Sequence, residues 1–367
     1  MKARLGRLFD RWVEWRFRLR SVVLALISSG VGLLLAAQAG FVAKLVTGPK
    51  LGGFEFSVDT GSGTPAYVTN IATTVGAALV VVGLVSLIWQ GWQEHSAAQR
   101  NRVLIIEARG LRSGPGRPLQ EDVPKAVVGR RELRVLDFRQ MYEADITDPE
   151  LGLDEAHSLP GQIRQAASGT DRADFQLIYG GVAPVPYTFL TGVLVDDENG
   201  LTVMDWDRSG ERWRLLDNAD DGERFVISGT EELTHAAEVV IAISVSYRVQ
   251  AANVRAAFPG RPVIWLTLEN GNTSSHWSAE KQAALAKQFL DVLGLLEGMG
   301  ARRINVILAA PNSLVFRFGR TYDRNHPPLI VWQYEREQAI AYPWGILMPP
   351  GGRGRASVVR SALMQAD

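Results

Sequence analysis

Two long stretches near the start of the chain, residues 21–43 and 60–93, run without a charged side chain and are dominated by apolar positions. About 20 apolar residues at 1.5 Å rise per residue cross a bilayer core of about 30 Å. The pattern predicts two transmembrane helices, residues 21–46 and 68–92, joined by a short external loop, residues 47–67. The soluble alternative is a pair of buried core helices, but such helices seldom run this far without a polar face. Beyond residue 92 the pattern changes. Short apolar runs alternate with amphipathic stretches, as in an α/β domain with parallel strands.

The flanks set the orientation. Residues 1–20 carry Lys2, Arg4, Arg7, Arg11, Arg16, Arg18 and Arg20 against Asp10 and Glu14. The connecting loop holds Lys50 as its basic residue, and Arg100, Arg102, Arg109 and Arg112 follow the second span. The positive-inside bias puts both termini in the cytoplasm. Trp89 and Trp92 stand where an interfacial aromatic belt is expected. Leu5, Leu8, Phe9 and Trp12 have helical spacing, so residues 1–20 read as an amphipathic basic segment on the inner leaflet, or else as a solvated basic tail. Ala37-Gln38-Ala39 resembles a signal-peptide cleavage site, but the basic region before it is too long for one.

Ser28, Gly32, Ala36 and Gly40 recur every four residues in the first span, and Ala72 and Gly76 repeat the spacing in the second. Small residues so placed let helix backbones approach closely in lipid, either within one hairpin or between subunits. Apart from Lys44 at an edge, neither span holds an ionisable residue, which argues against a transporter.

Residues 93–170 read as a connector packing on the main domain, with strands near residues 103–108 and 133–138 and a helix over 153–167. From residue 174 onward the order becomes regular. Strands are predicted at 175–179, 201–206, 212–216, 239–245, 262–268, 304–309 and 329–334, the last closing the sheet. Helices fall between them: 187–195, 249–258, a long one capped by Ser278, and one from Pro311 to about Arg320. Leu285, Phe289, Val292, Leu293 and Leu296 form the apolar face of the long helix. The order implies two lobes, residues 171–235 and 236–367.

Charge and composition narrow the chemistry. Lys plus Arg and Asp plus Glu number 39 each, which argues against wholesale nucleic-acid binding, so neither DNA nor RNA polymer is expected as a partner. There is no Cys, which excludes a disulfide framework, a thiol nucleophile and any Cys-ligated metal. The five His show no metal-ligand spacing. Glu231, Glu232 and His235 read as one exposed turn rather than a general-base cluster. The stretch from Asp217 to Gly222 is an acidic turn and not a calcium loop, because Ala219 and Ser228 stand where ligands are required. No metal, cofactor or catalytic residue is predicted, and the expectation is a protein that is not an enzyme.

What remains is a binding-site pattern. Open α/β sheets bind ligands beyond the carboxyl ends of their strands. Three segments leave a strand through small residues towards a helix: Tyr179-Gly180-Gly181, Ser244-Val245-Ser246-Tyr247 and Ala309-Ala310-Pro311-Asn312-Ser313. Small residues permit close backbone approach, and helix N-termini favour phosphate. Tyr179, Tyr247, Trp277 and Tyr334 offer ring faces for bases, and Arg208, Arg212, Arg317 and Arg320 offer charge for phosphates.

These segments resemble a known family. YGGVAPVPYTFLTGVLVDD followed by VMDWDRSGERW resembles the first half of SAVED domains. VVIAISVS, INVILAAPNSLVFRFGRTYD and PPLIVWQYER resemble the second, so the resemblance covers roughly residues 174–337. It implies two fused CARF-like, Rossmann-like lobes behind a two-helix transmembrane hairpin, as in the membrane type of effector (2TM-SAVED). It further implies a sensor of cyclic oligonucleotides, made by a cGAS-like synthase in bacterial CBASS antiphage defence. The messenger would bind in the groove between the lobes, and the effector would oligomerise on activation at the inner membrane. Carried onto this chain, the family site points to Tyr179, Gly180, Ser244, Ser246, Pro311 and Asn312, with Trp277 and Tyr334 as neighbours. Gly181, Tyr247 and Arg320 complete the ligand set from the strand-end pattern, and the arginines suit a cyclic trinucleotide. Two other outcomes stay open: a membrane-anchored CARF-like enzyme degrading cyclic nucleotides, and a scaffold recruiting another effector.

Overall fold

The computed structural model describes residues 22–35, 43–46, 55–58, 66–110, 115–143, 146–195, 200–233, 236–323, 325–336, 338, 340–349 and 354–361. The predicted amphipathic segment 1–20, Ala36, Gly40 and His235 lie outside them. The chain forms two compact units, residues 1–98 and 99–367.

In the first unit, α1 (Val22–Leu35) is a short apolar helix. The predicted first span does not run unbroken to residue 46. β1 (Ala43–Val46) pairs antiparallel with β2 (Glu55–Val58), so a β-hairpin occupies part of the expected span and loop. β-branched and aromatic residues in AKLV and EFSV favour this extended pairing. Helix α2 (Ala66–Arg100) includes the 23-residue apolar stretch Asn70–Trp92, long enough to cross a bilayer. Its Ile71, Val81, Val85, Ile88 and Trp92 are exposed, as suits a helix whose solvent is lipid.

The second unit is built on two sheets. β3 (Arg102–Arg109), α3 (Leu119–Asp122) and β4 (Arg130–Asp137) come first. A two-stranded ribbon, β5 (Tyr142–Glu143) with β6 (Ile146–Thr147), precedes α4 (Leu151–Ala167). β7 (Phe175–Val182), α5 (Val185–Val195), β8 (Leu201–Asp207) and β9 (Arg212–Leu215) complete a five-stranded sheet of order β4-β3-β7-β8-β9. Its first four strands are parallel and β9 is antiparallel.

The seven-stranded sheet uses β10 (Val226–Ser228), β11 (Glu238–Ser244), α6 (Ala251–Ala257), β12 (Val263–Thr267), α7 (Ala279–Gly298), β13 (Arg303–Ala309), α8 (Asn312–Thr321), β14 (Leu329–Gln333), β15 (Trp344–Leu347) and β16 (Ser357–Arg360). Its order is β10-β12-β11-β13-β14-β15-β16, parallel across the central four strands. Central β11 is buried from Val239 to Ser244, which explains its near-continuous apolar run.

The two sheets repeat one plan. In each, the first of four parallel strands pairs outwards with the second, and the chain then crosses back to a third and fourth on the other side. The sequence carries the echo: Ala183, Pro184, Phe189 and Gly192 recur at the same spacing as Ala310, Pro311, Phe316 and Gly319. These residues bring α5 and α8 together. A Cβ on Gly192 would lie 2.1 Å from the Phe316 carbonyl oxygen, and one on Gly319 would lie 2.1 Å from the Phe189 carbonyl oxygen. The contact is reciprocal, as a local twofold requires. Phe189, Phe316, Phe318 and Tyr179 belong to one core that runs through both lobes.

This plan corrects two expectations. Residues 93–170 are not a connector, because β3 and β4 are the first two strands of the five-stranded sheet and pair along their whole lengths. Edge strand β4 hides this in the sequence, since its Arg130 and Arg131 are exposed and the apolar alternation is weak. Nor does 329–334 close the second sheet: β15 and β16 extend it antiparallel.

Candidate ligand-binding cleft

In both sheets the direction of strand addition reverses between the first and third strands, β3/β7 and β11/β13, the place where open α/β sheets leave a crevice. A cleft of about 460 Å³ opens there, within the range of about 300–1,000 Å³ typical of small-molecule sites. It is lined from the first lobe by Val182 and by Asp205 to Ser209. The second lobe supplies Ser246 and Tyr247 after β11, Thr273, Ser274, His276 and Trp277 before α7, and Leu308 to Asn312 at the β13–α8 turn.

Local sequence builds each wall. Pro311 cannot donate a backbone hydrogen bond and suits the position just before a helix, so α8 starts at the cleft. Asp205, at the end of β8 and only 5% exposed, accepts from the Ser313 backbone N–H at 3.0 Å through Oδ2. A first-lobe carboxylate therefore satisfies a free N–H and opposes the positive dipole end of a second-lobe helix. Asn312 Oδ1 accepts from the Thr188 hydroxyl at 3.0 Å, a second tie across the lobes. Asp207 accepts from the Ser209 hydroxyl and from the Gly210 and Ser209 backbones, which together outweigh burial and hold its carboxyl below the usual range.

The loop before α7 is clamped just as firmly. Gly271 lies so close to the Val245 carbonyl oxygen, 2.1 Å from where a Cβ would be, that a side chain has no room. Ser278 caps α7 as predicted, its hydroxyl accepting from Lys281 N–H. Gln282 donates to the His276 carbonyl at 2.8 Å and to the Ser313 hydroxyl at 2.8 Å. The segment joining the lobes is stapled to the same place. Asn218 N–H donates to the Trp277 carbonyl, and buried Lys281 donates to Asp221 at 2.7 Å and Glu223 at 2.9 Å. Burial alone would lower the Lys281 pKa, but these two carboxylates hold it above the usual value. Arg214 lies over the Trp277 ring at 4.9 Å and braces it from the first lobe.

Of the predicted residues, Ser246, Tyr247, Trp277, Pro311 and Asn312 come together at the cleft, with Arg208. Tyr247 is 63% exposed and offers an open ring face, whereas Trp277 is nearly buried. The others lie elsewhere. Tyr179 is fully buried, stacked on Phe316 with ring centroids 3.8 Å apart, and burial pushes its phenol far above the usual pKa. Gly180 and Gly181 are inside β7, which runs on to Val182, and pack against Leu119, Trp213 and Ala108. Ser244 is buried and its hydroxyl accepts from Val249 N–H. Arg320 stands in the last turn of α8, about 12 Å along the axis from the cleft end. Tyr334 packs near Tyr342 beyond β14. Asp205, Asp207, Ser209, Thr273, Ser274 and His276 were not anticipated. Their signal was the alternating Asp205-Trp206-Asp207 at a strand end and His276 two residues before a helix cap.

In the first unit the small residues divide. Gly30, Gly76 and Gly83 are where α1 and α2 meet: a Cβ on Gly30 would lie 2.7 Å from the Gly76 carbonyl oxygen, and one on Gly83 would lie 2.4 Å from Ile27. Of the predicted set, Gly76 is in this contact, Ala72 is half-buried, Ser28 is exposed and Gly32 faces open space.

The protein thus combines two like α/β lobes enclosing a cleft with a preceding apolar helical unit. Residues 159–348 match the SAVED family, the SMODS-associated and fused to various effectors sensor domain. Residues 2–153 match the SAVED-fused 2TM effector domain. The chain belongs to the SAVED family, in its form with a two-transmembrane effector. A search among curated proteins finds no match. Among solved structures, the Acinetobacter baumannii Cap4 SAVED/CARF-domain containing receptor with the cyclic trinucleotide 2'3'3'-cAAA aligns at 10% identity and TM-score 0.46, covering 78% of this chain and 59% of that one. The same receptor with 3'3'3'-cAAA aligns at 11% and 0.45, covering 77% and 58%. The Moraxella osloensis Cap4 receptor aligns at 12% and 0.43, covering 76% and 60%. The chain thus spans about three-fifths of the length of these receptors.

Proposed function

We propose that this protein is a membrane-bound effector of bacterial CBASS antiphage defence, gated by a cyclic oligonucleotide from a cGAS-like synthase. The cleft is the messenger's site, with Tyr247 and Trp277 as ring faces, Ser246 and Asn312 as hydrogen-bonding groups and Arg208 as phosphate partner. The observation that carries this is a cleft walled by both lobes of a SAVED sensor that is joined to a two-transmembrane effector domain. Because both lobes line it, a bound ring favours one arrangement of the pair and biases the sensor towards an assembling form. Assembly gathers the hairpins in the inner membrane, both termini cytoplasmic, and the clustered helices breach it.

The test uses the full chain in detergent or nanodiscs, titrated with cyclic di-, tri- and tetranucleotides. Calorimetry should show one tight binder, light scattering should show growth in size with it, and dye-loaded liposomes carrying the protein should leak on its addition. Failure of the whole panel to bind would sink the proposal; binding without leakage would remove only the membrane step.

A second reading, an enzyme that degrades the nucleotide, has one observation in its favour: His276 Nε2 lies 3.5 Å from Asp205 Oδ2 at the cleft wall, a base beside a carboxylate. Recovery of intact nucleotide after prolonged incubation excludes it.

A further inference from the structure

Among the described residues, the side chains lining the cleft that carry or can gain charge near neutral pH are Asp205, Asp207, Arg208 and His276. With His276 neutral the lining carries one more negative than positive charge, an odd property for a site that receives phosphodiesters. His276 resolves it. The residue is only 5% exposed, and its ring nitrogens make at best long or poorly aligned contacts, to the Thr273 backbone and to Asp205 Oδ2 at 3.5 Å, with no well-formed hydrogen bond among the described residues. A buried imidazole with neither nitrogen fully satisfied is a costly arrangement, and such groups call for a functional explanation.

The charges around it are placed for a switch. From β8, Asp205 stands 3.5 Å away and Asp207 lies further along the same strand, both favouring the imidazolium. The Thr273 carbonyl on its own loop favours it too. Arg214 on β9 opposes it, as does burial, which is the largest influence and keeps the free protein's ring below the usual histidine pKa. On α8, Arg317 Nε donates to the Gln282 side-chain Oε1 at 3.3 Å, and on α7 Lys281 is spent on Asp221 and Glu223. Neither cation is therefore directed at the imidazole. Added negative charge in the cleft tips this balance.

We infer that His276 is the proton-linked charge compensator of the cleft, taking up one proton when an anionic nucleotide binds, so that mild acidification tightens binding. The inference rests on the nucleotide reading of the cleft. Protonated His276 neutralises the carboxylate of Asp205 beside it and removes the repulsion that a phosphodiester would otherwise meet.

The experiment takes the full chain in nanodiscs and the cyclic di-, tri- and tetra-adenylates. Affinity is measured by calorimetry at pH 6.5 and 7.5, each in two buffers of different ionisation enthalpy. For the adenylate that binds, affinity should rise about three- to tenfold at the lower pH, tenfold per pH unit being the limit for one proton. The buffer-dependent heat should report uptake approaching one proton. His276→Gln, which keeps a polar side chain but cannot titrate, should bind with equal affinity at both pH values and no buffer-dependent heat. Tight binding by the unsubstituted protein that is independent of pH and buffer overturns the inference and leaves the nucleotide reading standing. Absence of binding by every adenylate at both pH values overturns the two together. The measurement on the unsubstituted chain decides the matter even if the variant does not fold.

Discussion

At the scale of single residues, the cleft is held by polar groups that tie one lobe to the other as well as by ties within each. Asp205 belongs to the first lobe but satisfies α8 of the second, and Lys281 in the second grips the segment that leaves the first. Replacing Asp205 by Ala would leave the Ser313 N–H buried without a partner, at a cost of about 1–3 kcal/mol, visible as a lower melting temperature. The same region makes the free protein sensitive to acid. Burial lowers the His276 pKa below its usual 6.5, so the unfolded chain binds more protons than the folded one as pH falls through that value. His157 is lowered as well, first by burial and then by Arg355, and adds in the same direction. Stability is therefore complete above pH 6.5 and declines below it. A thermal scan of the free full chain from pH 7.5 to 5.5 should show this decline, and His276→Gln should make it shallower. An unchanged slope in that variant would rule out His276 as a source.

At the scale of elements, the decisive contact is the crossing of α5 and α8. Each helix lends one glycine to the backbone of the other, and no side chain fits at either place. Gly192→Ala and Gly319→Ala each press a methyl group against a rigid carbonyl. The expected loss is about 1–3 kcal/mol or more, from overpacking that no rotamer can relieve. A matched Ala at Gly294, on α7, meets nothing within 4 Å and should leave the melting temperature within a degree or two. Much of this level was legible beforehand. Regular strand and helix signals from residue 174 onward match the observed elements closely, because buried parallel strands and a capped amphipathic helix such as α7 write themselves into local sequence. β15 and β16 were missed, and β4, expected as a strand near residues 133–138, was not assigned to the sheet, because the pairing of edge and near-edge strands depends on tertiary context more than on their own sequence.

At the scale of the whole molecule, the proposed sensing and the proposed membrane action are separable in experiment. Gly30 and Gly76 bring α1 and α2 together, so Gly76→Leu should part the helices and reduce liposome leakage while nucleotide affinity stays as it was. Replacing residues 1–98 with an unrelated single-span anchor should abolish leakage and toxicity in cells while ligand-driven assembly persists. Continued toxicity with the foreign anchor would instead favour a scaffold that recruits another effector.

The sequence by itself determined whatever rests on neighbours along the chain. The apolar, charge-free stretches needed only length and composition to mark a membrane unit. The alternation of strands and helices needed only periodicity, and the motifs were enough to point to SAVED. Tertiary structure decided which strand ends meet. It moved Tyr179, Gly180, Gly181 and Ser244 into the core: Tyr179 stacks on Phe316 of the other lobe, whereas the two glycines are enclosed by Leu119, Trp213 and Ala108 and Ser244 is bonded to Val249, all within their own lobes. It raised Asp205 and His276 to prominence, because their significance lies in a 3.5 Å approach between lobes that no local pattern encodes. It also replaced Gly32 with Gly30 at the hairpin contact, since the face a helix buries is set by its partner and not by spacing alone.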